Sequence, residues 1–84
     1  MMNIQLRYFA AIREVLGTGS EPLQTQATTL ADLRAELVQR GGAYADALAP
    51  GKAVRVALNQ TMSDESAALT EGAEVGFFPP VTGG

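Results

Sequence analysis

Residues 2–9 alternate, and that alternation constrains the fold more than any other feature of the chain. Met2, Ile4, Leu6 and Tyr8 share one face; Asn3, Gln5, Arg7 and Phe9 share the other. Period two is the pattern of a half-buried strand. Such a strand buries its apolar face only against a second layer, so the chain must supply more strands and something to cover them. It has 84 residues in which to do so. That is one small domain, burying about 60–65% of the surface its unfolded chain exposes. There is no cysteine, hence no disulfide staple and no thiolate metal site.

The remaining patterns supply those layers. Ile12, Val15 and Leu16 stand at helical spacing over 10–16, and Gly17 follows as a C-cap residue would. Residues 18–20 read as a turn and 21–27 as a second strand, which Pro22 assigns to a sheet edge. Thr29-Leu30-Ala31-Asp32 resembles a capping box with Asp in place of the usual Glu or Gln. Leu30, Leu33, Leu37 and Val38 then mark one helix face, with Asp32, Arg34, Glu36 and Gln39 expected to face water. Gly41-Gly42 stops that helix, and 43–48 is expected to form another short helical turn before Pro50-Gly51.

Residues 53–59 predict a third strand: Val54, Val56 and Leu58 point one way, Arg55 and Ala57 the other. Asn59-Gln60 is a turn, and Thr61-Met62 a brief paired strand. Leu69-Thr70-Glu71-Gly72 predicts a turn anchored by Leu69, with Gly72 free to take positive φ. In the last strand, 74–78, Val75 and Phe77 would be buried, while Glu74, Gly76 and Phe78 lie opposite. The order is strand, short helix, strand, long helix, strand, short strand, strand. An α+β fold, a small mixed sheet with one main helix packed on it, accounts for that order.

Composition narrows the chemistry. There is no histidine, the commonest general base and metal ligand. No G-x-x-x-x-G-K-[ST] loop could cradle phosphates, and no acidic cluster is spaced like a Mg²⁺ site. No metal and no bound cofactor are expected. The carboxylate pairs Asp64-Glu65 and Glu71 with Glu74 read as solvated surface, as do Arg7, Arg13 and Arg55. Nine acids against six bases give a formal net charge of −3, which argues against nucleic acid or an anionic membrane and suits a partner with a basic face. No apolar run approaches a membrane span, and the first residues do not read as a signal peptide. A cytoplasmic protein is the default expectation.

The chain runs out through Phe77-Phe78-Pro79-Pro80-Val81-Thr82-Gly83-Gly84. Pro79 and Pro80 fix φ and offer no N–H, so strand pairing stops and the chain leaves extended. From Pro79 to Gly84 it reaches roughly 20 Å, at about 3.3–3.6 Å per residue. Two side-chain-free glycines make a tip slim enough to enter another protein's active site. A terminal carboxyl, with a reference pKa of about 3.3–3.7, is ionised at neutral pH and resists attack. It reacts only once a leaving group is placed on it, and no residue here could place one. Lys52 is the only lysine, so isopeptide linkage through this chain's own lysines is barely available. By strand parity, Phe9 and Phe78 lie opposite the buried sets of their strands. If those strands are neighbours, the two rings form an exposed apolar patch, with Met62 as a flexible third member.

These segments carry a family likeness. Arg7-Tyr8-Phe9-Ala10 with Ile12-Arg13-Glu14, then Asn59-Gln60-Thr61, and above all the block from Leu69 to Gly84 resemble the sulfur-carrying small subunits of molybdopterin synthase, which are ubiquitin-like β-grasp proteins. The resemblance spans the chain, and its last block is highly specific. Family members usually place an Asp where Ala73 stands, a departure that concerns a turn. The resemblance implies a β-grasp domain over 1–78 and a flexible, extended tail over 79–84. It implies that an ATP-dependent activating enzyme adenylates Gly84 and that a sulfur donor makes the thiocarboxylate. The large synthase subunit, which binds the pterin precursor, would receive the tail (Pro79, Pro80, Val81, Thr82, Gly83, Gly84) and accept the sulfur. Two such transfers would build the dithiolene. Phe9, Met62 and Phe78 would make apolar contacts to both partners, and two carriers would sit at the ends of a large-subunit dimer. The chain would then be no enzyme on its own. Two other readings stay open: the thiamine-pathway sulfur carrier, which shares the fold and the Gly-Gly end, and a β-grasp module that binds partners without covalent chemistry.

Overall fold

Eight elements follow one another in the computed structural model, which describes residues 1–49 and 51–79. They are β1 (Met2–Tyr8), α1 (Ala10–Leu16), β2 (Ser20–Thr25), α2 (Leu30–Val38), α3 (Gly42–Leu48), β3 (Arg55–Leu58), β4 (Thr61–Ser63) and β5 (Glu74–Phe78). The strands form one sheet in the order β2-β1-β5-β3-β4. β1 and β5 run parallel, and the other pairs are antiparallel. The first and last strands therefore lie side by side in the middle of the sheet, and β2, which carries Pro22, is at an edge as expected. This is the mixed α+β sheet anticipated from the order of patterns, and the short helical turn expected over 43–48 is present as α3.

The alternation of β1 sets which face is covered. Ile4, Leu6 and Tyr8 are buried with Val75 and Phe77 of β5 and Val56 of β3. Leu30, Leu33 and Leu37 of α2 join them in a single cluster, which Ile12, Leu48 and Leu69 complete. Burial of each such leucine contributes about 1.5–3 kcal/mol. α2 starts where the Thr29 hydroxyl accepts a hydrogen bond from the Asp32 N–H at 3.1 Å. The Asp32 carboxylate accepts from the Thr28 hydroxyl, so only half of the expected capping box forms. Gly17 (φ 77) and Gly72 (φ 79) take the left-handed conformation expected of them. Asn59 and Gln60 both have positive φ, which fits the two-residue hairpin that brings Leu58 opposite Thr61.

Several expectations need correction. Arg34 does not face water. Its guanidinium donates to the carbonyls of Leu48, Ala49 and Lys52 and to Glu65, all at 2.7–2.8 Å, and it is 7% exposed. Helical spacing placed it beside the apolar stripe, and the end of α3 supplied acceptors there. Val15 stays 50% exposed although its spacing matches Ile12. Ala57 and Gly76 do stand on the open face, as the alternation requires, but both are buried there. β2 stops at Thr25, short of the anticipated residue 27, because the Thr25 hydroxyl accepts from the Ala27 N–H and donates to Glu36. The pairs Asp64-Glu65 and Glu71 with Glu74 are not simply solvated: Glu65 holds Arg34, Glu71 accepts the Asn3 N–H, and Glu74 lies 3.7 Å from Arg7.

Candidate functional site

β5 carries both ends of the argument for a site, since its last residue is Phe78 and the chain continues from it into Pro79. Parallel pairing sets Tyr8 opposite Phe77, and the Phe9 N–H then donates to the Phe77 carbonyl at 3.2 Å. That registration brings Phe9 alongside Phe78 on the face away from the core. Their rings stack with centroids 4.3 Å apart and planes 1° from parallel. The neighbouring-strand condition in the parity argument is thus met. Next to Phe9, Ala10 has a left-handed φ of 50°, a conformation costing an L-residue about 1–2 kcal/mol. It turns the chain from β1 into α1 with Phe9 alone between them.

Gly76 explains why the rings can lie where they do. A Cβ at that position would come within 3.2 Å of both Phe78 and Phe9 ring carbons. The rings lie over the glycine, which is why it is buried on the open side of the sheet. A glycine inside a strand is a sequence signal for such close approach, and reading Gly76 only by parity missed it. Ala57 stands opposite Gly76, and Met62 stands opposite Ala57. Met62, 53% exposed, therefore shares the face, as expected. Two arginines stand beside the apolar strip. Arg55 pairs across from Phe78, and the Arg7 guanidinium carbon lies 5.9 Å from the Phe9 centroid.

The groups whose ionisation is most altered lie elsewhere, on the covered face. The carboxylate of Glu21 accepts from the Tyr8 and Tyr44 hydroxyls and from Arg40. Partial burial raises the Glu21 pKa, but the hydrogen bonds from Tyr44, Arg40 and Tyr8 outweigh it and hold the carboxyl below its ordinary range. Burial, then the Glu21 charge, pushes the Tyr8 phenol well above its ordinary value. A carboxylate with its oxygens so engaged joins β1, β2 and α3; it is not poised to move a proton near neutral pH. Nothing in the sequence pattern pointed to this cluster, because its members come together only across the fold. Among the described residues, no three His, Cys, Asp or Glu side chains converge as a metal site, and no helix is long and apolar enough to cross a membrane. Pro79 is the first residue past β5; Pro80, Val81, Thr82, Gly83 and Gly84 lie outside the described residues.

Comparison with known proteins places this geometry. The ThiS family profile matches residues 6–84. The molybdopterin synthase sulfur carrier subunit of Haemophilus influenzae is 40% identical over 84 residues, all of both chains. Its Escherichia coli counterpart is 40% identical over 81 residues, 96% of this chain and 99% of that one. Among solved structures, a complex of subunits 1 and 2 of the molybdopterin-converting factor from Helicobacter pylori matches with a TM-score of 0.69 and 27% identity, over 99% of this chain and all of that one.

Proposed function

The chain belongs to the ThiS family, a ubiquitin-like β-grasp sulfur-carrier fold, and on that premise we propose that it is the sulfur carrier subunit of a molybdopterin synthase. The observation carrying this reading is the full-length likeness, at 40% identity, to proteins named for that role. Gly84 would be the site of chemistry done to this protein. In an activating enzyme its carboxylate attacks ATP, forming an acyl-adenylate and releasing pyrophosphate. A sulfur donor then displaces AMP and leaves a thiocarboxylate. Pro79 to Gly84 enter the active site of a large subunit, where the thiocarboxylate sulfur bonds to a bound pterin precursor and water then cleaves the acyl–sulfur bond, leaving the sulfur on the pterin and returning the terminus to a carboxylate. Two deliveries supply the dithiolene.

The division of labour follows from the residues. The chain has no histidine or cysteine, so phosphate activation and proton transfer belong to the partners. Its own part is to dock and to aim. Phe9, Phe78 and Met62 make the docking strip, an apolar centre with Arg7 and Arg55 beside it, as interfaces commonly pair an apolar core with a charged rim. Phe78 belongs both to the strip and to the strand that feeds the tail, so docking also sets where the tail starts.

Intact-mass measurement after incubation with the activating enzyme, ATP and a sulfur donor tests the reading. Exchange of one oxygen for sulfur at Gly84 is the expected result; an unchanged mass in a competent mixture sinks it in favour of a non-covalent binding module. Capture of a thiazole synthase, with no pterin-binding large subunit, would move the protein to the thiamine pathway instead.

A further inference from the structure

Arg7 of β1 and Arg13 of α1 line one recess at the end of β1, together with Phe9, Gly19 and Ser20. Strand register accounts for part of the meeting. Ser20 stands opposite Arg7 in the antiparallel pair, so the two side chains share a face. The Tyr8 N–H donates to the Gly19 carbonyl at 2.9 Å, which fixes the start of β2 against the end of β1. Arg13 reaches the same place from the helix. A Cβ on Gly19 would lie 3.2 Å from the Arg13 Nε and 3.5 Å from its Cζ, so the guanidinium is laid over the bare glycine. No carboxylate is among the described residues that line the recess. Glu21 points to the covered face, where Tyr8, Tyr44 and Arg40 hold it. Glu74 approaches Arg7 only to 3.7 Å, beyond hydrogen-bond length. Arg13 is in no ion pair among the described residues.

We infer that this recess receives a carboxylate side chain of the protein that docks on the strip of Phe9 and Phe78. The inference rests on the reading of that strip as the docking surface. Two cations that share a recess without an anion repel each other, and a carboxylate between them relieves the repulsion. A guanidinium fork matches a carboxylate in shape and charge, and the Ser20 hydroxyl adds a further donor. Phe9 makes the recess continuous with the strip. It lines the one and stacks on Phe78 in the other, and the Arg7 guanidinium carbon lies 5.9 Å from its centroid. Exposure selects the source of the carboxylate. The Arg7 side chain is 46% exposed and Arg13 is exposed, so contacts to them are screened. Such contacts are too weak to hold a free ion against its lost translational freedom. A carboxylate carried by a protein already docked on the strip is presented at high local concentration instead. The site runs against the charge of the whole chain: a net charge of −3 suits a basic partner, whereas the group wanted here is acidic.

The sign of an on-rate change provides the test. Association of the full chain with the large synthase subunit is followed by stopped flow at low salt. Arg13→Gln makes the chain more negative. Against a generally basic partner that change would speed association, whereas loss of a local carboxylate contact slows it. Slowing of about three- to tenfold is expected, with rates converging on wild type near about 1 M salt, where the Debye length is about 3 Å. Arg7→Gln is expected to slow association in the same sense. Arg13→Lys, which keeps the charge, is expected to recover most of the rate, and the melting temperature of Arg13→Gln is expected to match wild type. An Arg13→Gln chain that associates as fast as wild type, or faster, would overturn the inference. Slowing that persists unchanged at high salt would do so too, because it marks a packing effect. Inorganic phosphate, titrated against the free chain and followed by the Arg13 Nε–H resonance, is expected to give no saturation in the low millimolar range. Saturation there would assign the recess to a free oxyanion and overturn the inference as well. If wild type fails to bind the large subunit, the proposed function falls and this inference with it. If it binds and both arginine variants match it, this inference alone falls.

Discussion

Gly76 has two phenyl rings where its side chain would project, and that makes it the sharpest single-residue probe of the open face. In Gly76→Ala the new methyl must displace the rings of Phe9 and Phe78, each 3.2 Å from its Cβ position. Both rings are only half-buried and can move, while alanine also restricts the unfolded chain, a gain of about 0.4–1 kcal/mol. We expect a near-neutral effect on thermal unfolding but about tenfold weaker binding to the large subunit by calorimetry, since a tenfold loss needs only about 1.4 kcal/mol and the displaced stack alone accounts for about that much. Arg34 is the opposite case. Arg34→Met leaves three carbonyls and Glu65 without their donor. Glu65 is exposed enough to turn to water, so the expected loss is about 2–4 kcal/mol in urea unfolding, toward the lower part of what removing one partner of a buried pair costs.

Among the elements, the clasp at Glu21 joins β2 to β1 and α3 through Tyr8, Tyr44 and Arg40. Its pH dependence has a definite sign. The Glu21 carboxyl is held below its ordinary value of 4.5, so the unfolded state binds the proton more readily than the folded one. The clasp's contribution is present above pH 4.5 and is lost as pH falls through the folded value. The Tyr44 phenol is raised from 10.0, first by its hydrogen bond to Glu21 and then by burial. Its contribution is present below pH 10.0 and is lost as pH rises through the folded value. Thermal melts across pH should therefore show Glu21→Gln with a flatter acid limb and Tyr44→Phe with a flatter alkaline limb. An unchanged acid limb in Glu21→Gln would mean that other carboxylates govern acid unfolding.

For the whole molecule, the proposed roles divide between a face and a tail that share β5. Phe78→Ala should weaken docking about tenfold or more, as loss of a central aromatic anchor does, and leave the transfer rate per docked complex nearly unchanged. Deleting Gly84 should abolish sulfur transfer while docking largely survives. Titrating each variant against the large subunit and following single-turnover transfer separates the two. Loss of both properties on deletion of Gly84 would make the tail mainly an anchor.

The elements themselves were largely readable in the chain, because their signals are local. Period two gives β1 and β5, Gly17 ends α1, Thr29 opens α2, and Pro22 sends β2 to an edge. The apolar strip was half readable: parity put Phe9 and Phe78 on the open face, but only the β1–β5 pairing brought the rings into contact. Arg34, Glu21 and Gly76 could not be read correctly in this way. A buried guanidinium needs carbonyls from a distant helix end, a saturated carboxylate needs phenols from two other elements, and a covered glycine needs one ring from its own strand and one from the residue just past β1. Sequence by itself determined the kind and order of the strands and helices and the approximate place of each, since backbone periodicity and turn chemistry act over a few residues. Only the tertiary structure decided which open faces are filled and which polar groups are satisfied, because those depend on what the sheet order brings across the gap.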